Sequence, residues 1–144
     1  MISIDTNVLL RYLLQDDEVQ SKKAAKLVNG SVKVLVTDIV LTETLWTLKG
    51  KKYKATKDDI LLVLDSLFKE PNIVFEDGHT VWRAMHEYRL SEKVKVGSKK
   101  KDADFSDVLI INKSKQVIRQ KSEEFEGVYT FDIASQQIDG AKAP

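Results

Sequence analysis

The stretch that decides the fold is residues 2–14, which read ISIDTNVLLRYLL. Residues 2–5 predict a very short buried strand that ends in Asp5. Leu9, Leu10, Leu13 and Leu14 then recur at the spacing of one helix face. A strand that passes directly into a helix is typical of α/β folds.

The rest of the chain continues this alternation of strands and helices. Strands are predicted at 32–36, 73–75 and 127–131, and helices at about 19–28, 39–48, 60–68, 77–90 and 104–115 or beyond. Thr37-Asp38 offers an N-cap to the third helix, and Thr56 with Asp59 resembles a capping box before the fourth. We therefore expect an α/β fold with a short parallel sheet covered on both faces.

The first and last predicted elements define the limits of the expected domain. One domain is predicted over residues 1–138, with a lysine-rich loop at 92–102 and a frayed tail at 139–144. No apolar run approaches the length of a membrane span, and the first strand begins at Ile2, which leaves no room for a signal peptide. We therefore expect a cytoplasmic protein.

The composition excludes some kinds of site. Because none of the 144 residues is a cysteine, neither a disulfide nor a thiolate metal site is available. The formal net charge of +1 is too small to indicate a partner. His79 and His86 lack spaced partners for zinc, so no role is assigned to them. Trp46 and Trp82 fall on apolar helix faces and are expected in the core.

Two aspartates stand at the carboxyl ends of predicted strands, namely Asp5 and Asp132. Functional groups gather at this edge of a parallel α/β sheet. Burying a lone carboxylate costs roughly several kcal/mol, so each aspartate is expected to have a partner. Capping of the structure that follows is the alternative for both, because aspartate is a good N-cap.

Three further acids lie in apolar helical stretches. Glu43 is helically adjacent to Ile39 and Trp46, so we expect it on a largely buried face; an exposed glutamate is the alternative. Asp104 and Asp107 project from one side of a helix start, where like charges repel unless a cation compensates. The alternative is an N-cap aspartate followed by a first-turn aspartate that the helix dipole favours.

Taken together, these acids predict a site for a hard cation. Clusters that offer only oxygen ligands suit Mg²⁺ or Mn²⁺. The chemistry that most often needs such a cluster is phosphodiester hydrolysis, in which the ion polarises the phosphoryl oxygen and activates water. The residues therefore point to a nuclease.

Four stretches, in order, resemble the motifs of PIN domains. They are IDTNVL at 4–9, VLTETLW at 40–46, ADFSDVLI at 103–110 and TFD at 130–132. Continued through Arg11-Tyr12-Leu13-Leu14, the first stretch is similar to the toxin ribonucleases of VapBC toxin–antitoxin pairs. The order, spacing and chain length agree, so the resemblance covers essentially the whole chain. It implies a three-layer α/β/α fold, Mg²⁺-dependent (or Mn²⁺-dependent) endoribonuclease activity, homodimerisation and inhibition by a cognate antitoxin protein.

The resemblance also assigns roles to individual residues. The core acidic ligands of the family are matched by Asp5, Glu43 and Asp107. Its more variable fourth acid is matched by Asp132, and an acid found in part of the family by Asp104, a candidate metal ligand or lysine partner. Polar positions that orient the carboxylates are matched by Thr6, Asn7 and Thr130.

The chain departs from the family around the third motif. The short Gly-Ala lead common in the family is replaced by the lysine-rich residues 93–102, and the small residues after the motif by 112–115, NKSK. These changes bear on loop geometry and RNA specificity rather than on the acids. Two lysine-rich stretches, 49–57 and 93–101, are candidate RNA contacts, and the second includes Lys99, Lys100 and Lys101. A solvated loop is the alternative for each.

Two other functions are compatible with some of the same residues. A catalytically silent PIN-like module that binds RNA or protein is one, but an idle acid cluster would only destabilise its fold. A phosphatase or phosphoacceptor with Asp5 as nucleophile is the other. Haloacid-type phosphatases usually carry a second aspartate two residues later, where this chain has Asn7.

Overall fold

The structure, a computed structural model, describes residues 1–144 and contains six α-helices and three small sheets. Its contacts divide the chain into two compact units, Met1–Gly78 and His79–Pro144. No helix is both long enough and apolar enough to cross a bilayer.

The first unit is built on a parallel sheet of three short strands. These are β1 (Ile2–Ser3), β2 (Val34–Val36) and β3 (Ile73–Phe75), in the spatial order β1-β2-β3. Ile2 pairs with Val34, and Val34 with Ile73, so β2 is the central strand. Val34 and Val36 are fully buried, as expected of the central strand of a parallel sheet. The predicted parallel sheet is confirmed, and β3 has the predicted bounds.

Four helices belong to this unit: α1 (Thr6–Leu14), α2 (Glu18–Val28), α3 (Asp38–Lys49) and α4 (Lys57–Lys69). Their starts follow the capping signals in the sequence. The Thr37 side chain accepts a hydrogen bond from the backbone of Val40, and Thr56 with Asp59 forms the predicted capping box. Both caps are therefore confirmed.

The face that α3 buries differs from the prediction. Leu41, Thr44, Leu45 and Leu48 are buried, so the opposite side of the helix carries Ile39, Glu43 and Trp46. Trp46 is 74% exposed and Trp82 is 44% exposed, so the prediction that both lie in the core is wrong. The buried face predicted for Glu43 is also wrong, because its side is exposed. This helix is apolar on both sides, and periodicity alone could not select the inner one.

The second unit contains two helices and two small sheets. The helices are α5 (Gly78–Leu90) and α6 (Phe105–Gln120). Between them, β4 (Val94–Val96) and β5 (Lys99–Lys101) pair as an antiparallel hairpin, with Val94 opposite Lys101. The predicted loop at 92–102 is thus corrected to a hairpin. Its turn uses Gly97, whose φ of +63° suits glycine.

The last strands of the chain pair with each other. β6 (Val128–Tyr129) runs parallel to β7 (Ala141–Lys142), and a 3₁₀ turn at Ser135–Gln137 lies between them. The expected frayed tail is therefore wrong at these residues. Backbone hydrogen bonds from Val128 and Thr130 to the carbonyls of Gly140 and Lys142 hold the tail in place.

Candidate active site

Asp5 lies between β1 and α1, where the first motif predicts it. Its Oδ1 accepts a hydrogen bond of 2.9 Å from the backbone N–H of Val8, so Asp5 is the N-cap of α1. The side chain is exposed rather than buried. The capping alternative is therefore realised. Because the cap engages only Oδ1, Oδ2 is left to accept a metal ion.

Glu43 is joined to the start of α1 by a hydrogen bond. The hydroxyl of Thr6 donates to Glu43 Oε2 at 2.6 Å, across 37 positions of sequence. Because Thr6 directly follows Asp5, this bond brings the Glu43 carboxylate to the end of α1 that Asp5 caps. Thr6 therefore orients the Glu43 carboxylate.

Asn7 stands apart from this pair. It is exposed, and no hydrogen bond joins it to either carboxylate. With Asp5 and Arg11 it lines a cleft of about 260 Å³ along α1 and α2. Arg11 is engaged by Asp16 at 2.6 Å, which raises the pKa of Arg11 chiefly through that hydrogen bond.

In the second unit, two aspartates mark the start of α6. Asp104 is at the N-cap position, but its side chain makes no capping hydrogen bond. Asp107 is in the first turn and is half-buried. Burial, followed by the negative charges of Asp104 and Asp132, raises the pKa of Asp107. These three carboxylates therefore interact electrostatically.

Asp132 follows β6 and is held by two neighbours. Its Oδ1 receives the ammonium of Lys101 at 3.1 Å, and its Oδ2 accepts hydrogen bonds from the backbone N–H and the hydroxyl of Ser135. Burial alone would raise the pKa of Asp132, but the hydrogen bonds of Ser135 and Lys101 together outweigh it and lower that pKa. The N-cap of the 3₁₀ turn is Ala134, and no side chain caps it, so the bond from the Ser135 N–H to Asp132 is a local hydrogen bond and the capping alternative for Asp132 is not realised at that turn.

The polar neighbours of Asp132 were only partly foreseen. Thr130 Oγ1 accepts a 3.0 Å hydrogen bond from the backbone N–H of Asp132, so Thr130 fixes the backbone rather than the carboxylate. Ser135, which is 1% exposed, was not singled out in the sequence. Its position three residues after a strand-end aspartate is the signal that could have found it, because aspartate side chains commonly accept from the N–H at that spacing.

The three hairpin lysines differ in their surroundings. Lys99 and Lys100 are exposed on β5. Lys101 pairs with Asp132, and this attraction raises its pKa, with smaller contributions from the charges of Asp104 and Asp107. The ion pair of Lys101 is therefore with Asp132, and Asp104 acts on Lys101 through its negative charge.

The chemistry of these donors fits a hard cation. Every acid singled out offers carboxylate oxygens, and Asp107 lies beside like charges that a cation would offset. No group of three or more acidic or histidine side chains is gathered closely enough in the structure to hold an ion. Asp5 and Glu43 belong to the first unit, and Asp104, Asp107 and Asp132 belong to the second.

Comparison with known families identifies the class of protein. The PIN domain family model matches residues 2–129, nearly the whole chain. The chain belongs to the PIN-domain family, which confirms the predicted α/β PIN-like fold with a short parallel sheet. PIN domains are generally nucleases, which are hydrolases, and they typically use divalent metal ions. No curated protein matches the chain significantly.

Proposed function

We propose that this PIN domain is a metal-dependent endoribonuclease that hydrolyses phosphodiester bonds in single-stranded RNA. The observation that carries the proposal is the aspartate group at the start of α6. Asp107 is held there, half-buried, beside Asp104 and Asp132, at an electrostatic cost that raises its pKa. Carboxylates whose pKa is raised by burial and by like charges are found at functional sites, and a bound divalent cation would offset the repulsion between them.

The acids that we propose as metal ligands are Asp5, Glu43, Asp104, Asp107 and Asp132. Within the first unit, Thr6 holds the Glu43 carboxylate by its hydroxyl. Within the second, Ser135 fixes Oδ2 of Asp132, so the orientation of Oδ1 is set. A Mg²⁺ or Mn²⁺ ion held by these acids would activate water and neutralise charge at the phosphate. Mg²⁺ is the ion that we expect in the cell.

Cleavage of a single-stranded RNA under controlled ion conditions tests this function. The chain is expected to cut RNA with Mg²⁺ or Mn²⁺, to lose activity in EDTA and to recover it when either ion is restored. Ca²⁺ should restore it poorly, because its larger and more flexible coordination shell suits catalysis of this kind less well. Equal cleavage with and without EDTA would refute the proposal.

The exposed lysines of β5 are proposed to contact the RNA backbone. Replacement of Lys99 and Lys100 by alanine is expected to weaken RNA binding across sequences. The slope of the logarithm of the binding constant against the logarithm of the salt concentration (the salt slope) should become shallower by about two, one for each lost phosphate contact. Fluorescence anisotropy with Ca²⁺ in place of Mg²⁺, at several salt concentrations, measures both quantities.

A matched control removes the same charge elsewhere. Lys26 on α2 and Lys121 after α6 are also exposed lysines, and both lie outside the four stretches that resemble PIN motifs. Their double alanine variant should keep the parent salt slope. If both double variants change the slope equally, β5 acts only through net charge and is not an RNA contact.

The biological role that we propose is the toxin of a type II toxin–antitoxin pair, acting in the cytoplasm as a homodimer with an antitoxin as inhibitor. The resemblance of the first motif to VapC-type toxins supports it, and so does exposed apolar surface. Ile39 and Trp46 on α3 and Leu62 on α4 are each more than 60% exposed. Light scattering that finds a monomer at micromolar concentration would count against the dimer, and growth unaffected by expression would count against the toxin.

A further inference from the structure

Lys101 binds the carboxylate oxygen of Asp132 that Ser135 does not engage. Ser135 engages Oδ2 through its backbone N–H and its hydroxyl, whereas Oδ1 meets only the ammonium of Lys101, at 3.1 Å. The Asp132 side chain is 25% exposed, and that of Lys101 is 58% exposed. A cation that used Asp132 as a ligand would therefore have to approach the oxygen that Lys101 covers.

The backbone delivers this ammonium to the acids. Lys101 ends β5 and is paired with Val94 across the hairpin. Two residues later Ala103 is fully buried, which anchors the chain just before Asp104. The hairpin thus holds a single positive charge against the aspartate group, and the charges of Asp104 and Asp107 also stabilise it there.

We infer that Lys101 is an internal counter-ion, which holds Asp132 when no divalent cation is bound and which such a cation must displace. This inference rests on the proposed function, because it assumes that Asp132 is a metal ligand. Lys101 is then a positioning residue that sets the threshold of metal binding. An ordinary surface ion pair is the competing explanation, and it would leave metal affinity unchanged.

The test is a titration of the metal-stripped chain with Mn²⁺ in the absence of RNA. Calorimetry, or the electron paramagnetic resonance signal of free Mn²⁺, measures the binding. Lys101→Met keeps most of the aliphatic stem and removes the charge. Its affinity for Mn²⁺ is expected to rise about three- to tenfold, as removal of one nearby like charge predicts. Lys100→Met, the exposed neighbour on the same strand, should bind Mn²⁺ like the parent.

A double variant separates this role from a general charge effect. In an Asp132→Asn background the ion pair is already lost, so adding Lys101→Met should raise the affinity for Mn²⁺ much less than it does in the parent chain. Circular dichroism checks that each variant is folded, and Lys101→Gln replaces Lys101→Met if the latter is not.

The outcomes distinguish the inference from the function beneath it. Tighter Mn²⁺ binding by Lys101→Met, dependent on Asp132, supports the counter-ion. Unchanged or weaker binding overturns it but leaves the proposed nuclease intact, provided the parent binds Mn²⁺. If the parent chain binds no Mn²⁺ at all, the proposed function fails, and the inference fails with it.

Discussion

Replacement of Asp5 by asparagine is expected to reduce Mg²⁺-dependent RNA cleavage about a thousandfold while the fold survives. Metal-ion catalysis contributes roughly several kcal/mol, and each 1.36 kcal/mol corresponds to a factor of about ten in rate. Asparagine caps a helix about as well as aspartate, so the hydrogen bond from Val8 can be kept. Only the negative charge is lost.

A matched control exists at the next helix. Asp17 is the N-cap of α2 and accepts from the backbone N–H of Gln20, as Asp5 does from Val8. Asp17→Asn loses the same charge beside a helix dipole, so both variants should lose at most about 1 kcal/mol of stability. Cleavage should persist in Asp17→Asn. If the two variants lost activity equally, Asp5 would be only a structural cap.

Asp107→Asn is expected to have opposite effects on activity and stability. Cleavage should fall by about three orders of magnitude, for the same reason as at Asp5. Stability without metal should rise at pH 7, because the ionised Asp107 carries the cost of burial and of the neighbouring aspartate charges. Thermal unfolding in EDTA measures the second effect.

The pH dependence gives this prediction its sign. Because the pKa of Asp107 is higher in the folded chain than in the unfolded chain, its ionised form destabilises the fold at neutral pH. That penalty decreases as the pH falls through the pKa of Asp107 in the folded chain. It is absent below the pKa of Asp107 in the unfolded chain. The stability gain of Asp107→Asn should therefore be present at pH 7 and lost in acid.

A first-turn aspartate of another helix serves as the control. Asp58 lies in the first turn of α4, as Asp107 does in α6, but Asp58 is exposed. Asp58→Asn should leave cleavage unchanged and should lower stability slightly, through loss of its favourable interaction with the helix dipole. A stability gain of the same size in both variants would show that Asp107 carries no special cost.

Local signals were enough to predict much of the fold. The capping box of Thr56 and Asp59 marks the start of α4, and the apolar run 73–75 gives β3 its bounds. Both are set by residues within one turn or one strand. The positions of Asp5 and Asp132 at strand ends could likewise be read from the sequence, because hydrophobic runs stop directly before them.

Features that depend on distant contacts were not predictable in this way. The side that α3 buries is decided by what packs against it, and its apolar residues lie on both sides, including Ile39 and Trp46. The hairpin of β4 and β5 was missed because three consecutive lysines on β5 hide the alternation visible in Val94 and Val96. Because the hairpin was not predicted, the ion pair between Lys101 and Asp132, 31 positions away, could not be predicted either.

The ends left on cleaved RNA test the central claim, metal-dependent hydrolysis by water, most directly. The parent chain would be incubated with a defined single-stranded RNA in Mg²⁺ or in EDTA, and the products would be mapped. We predict 5′-phosphate and 3′-hydroxyl ends in Mg²⁺ and intact RNA in EDTA, because the mechanism uses neither a protein nucleophile nor the RNA 2′-hydroxyl. Cyclic 2′,3′-phosphate ends, or cleavage that persists in EDTA, would contradict the account.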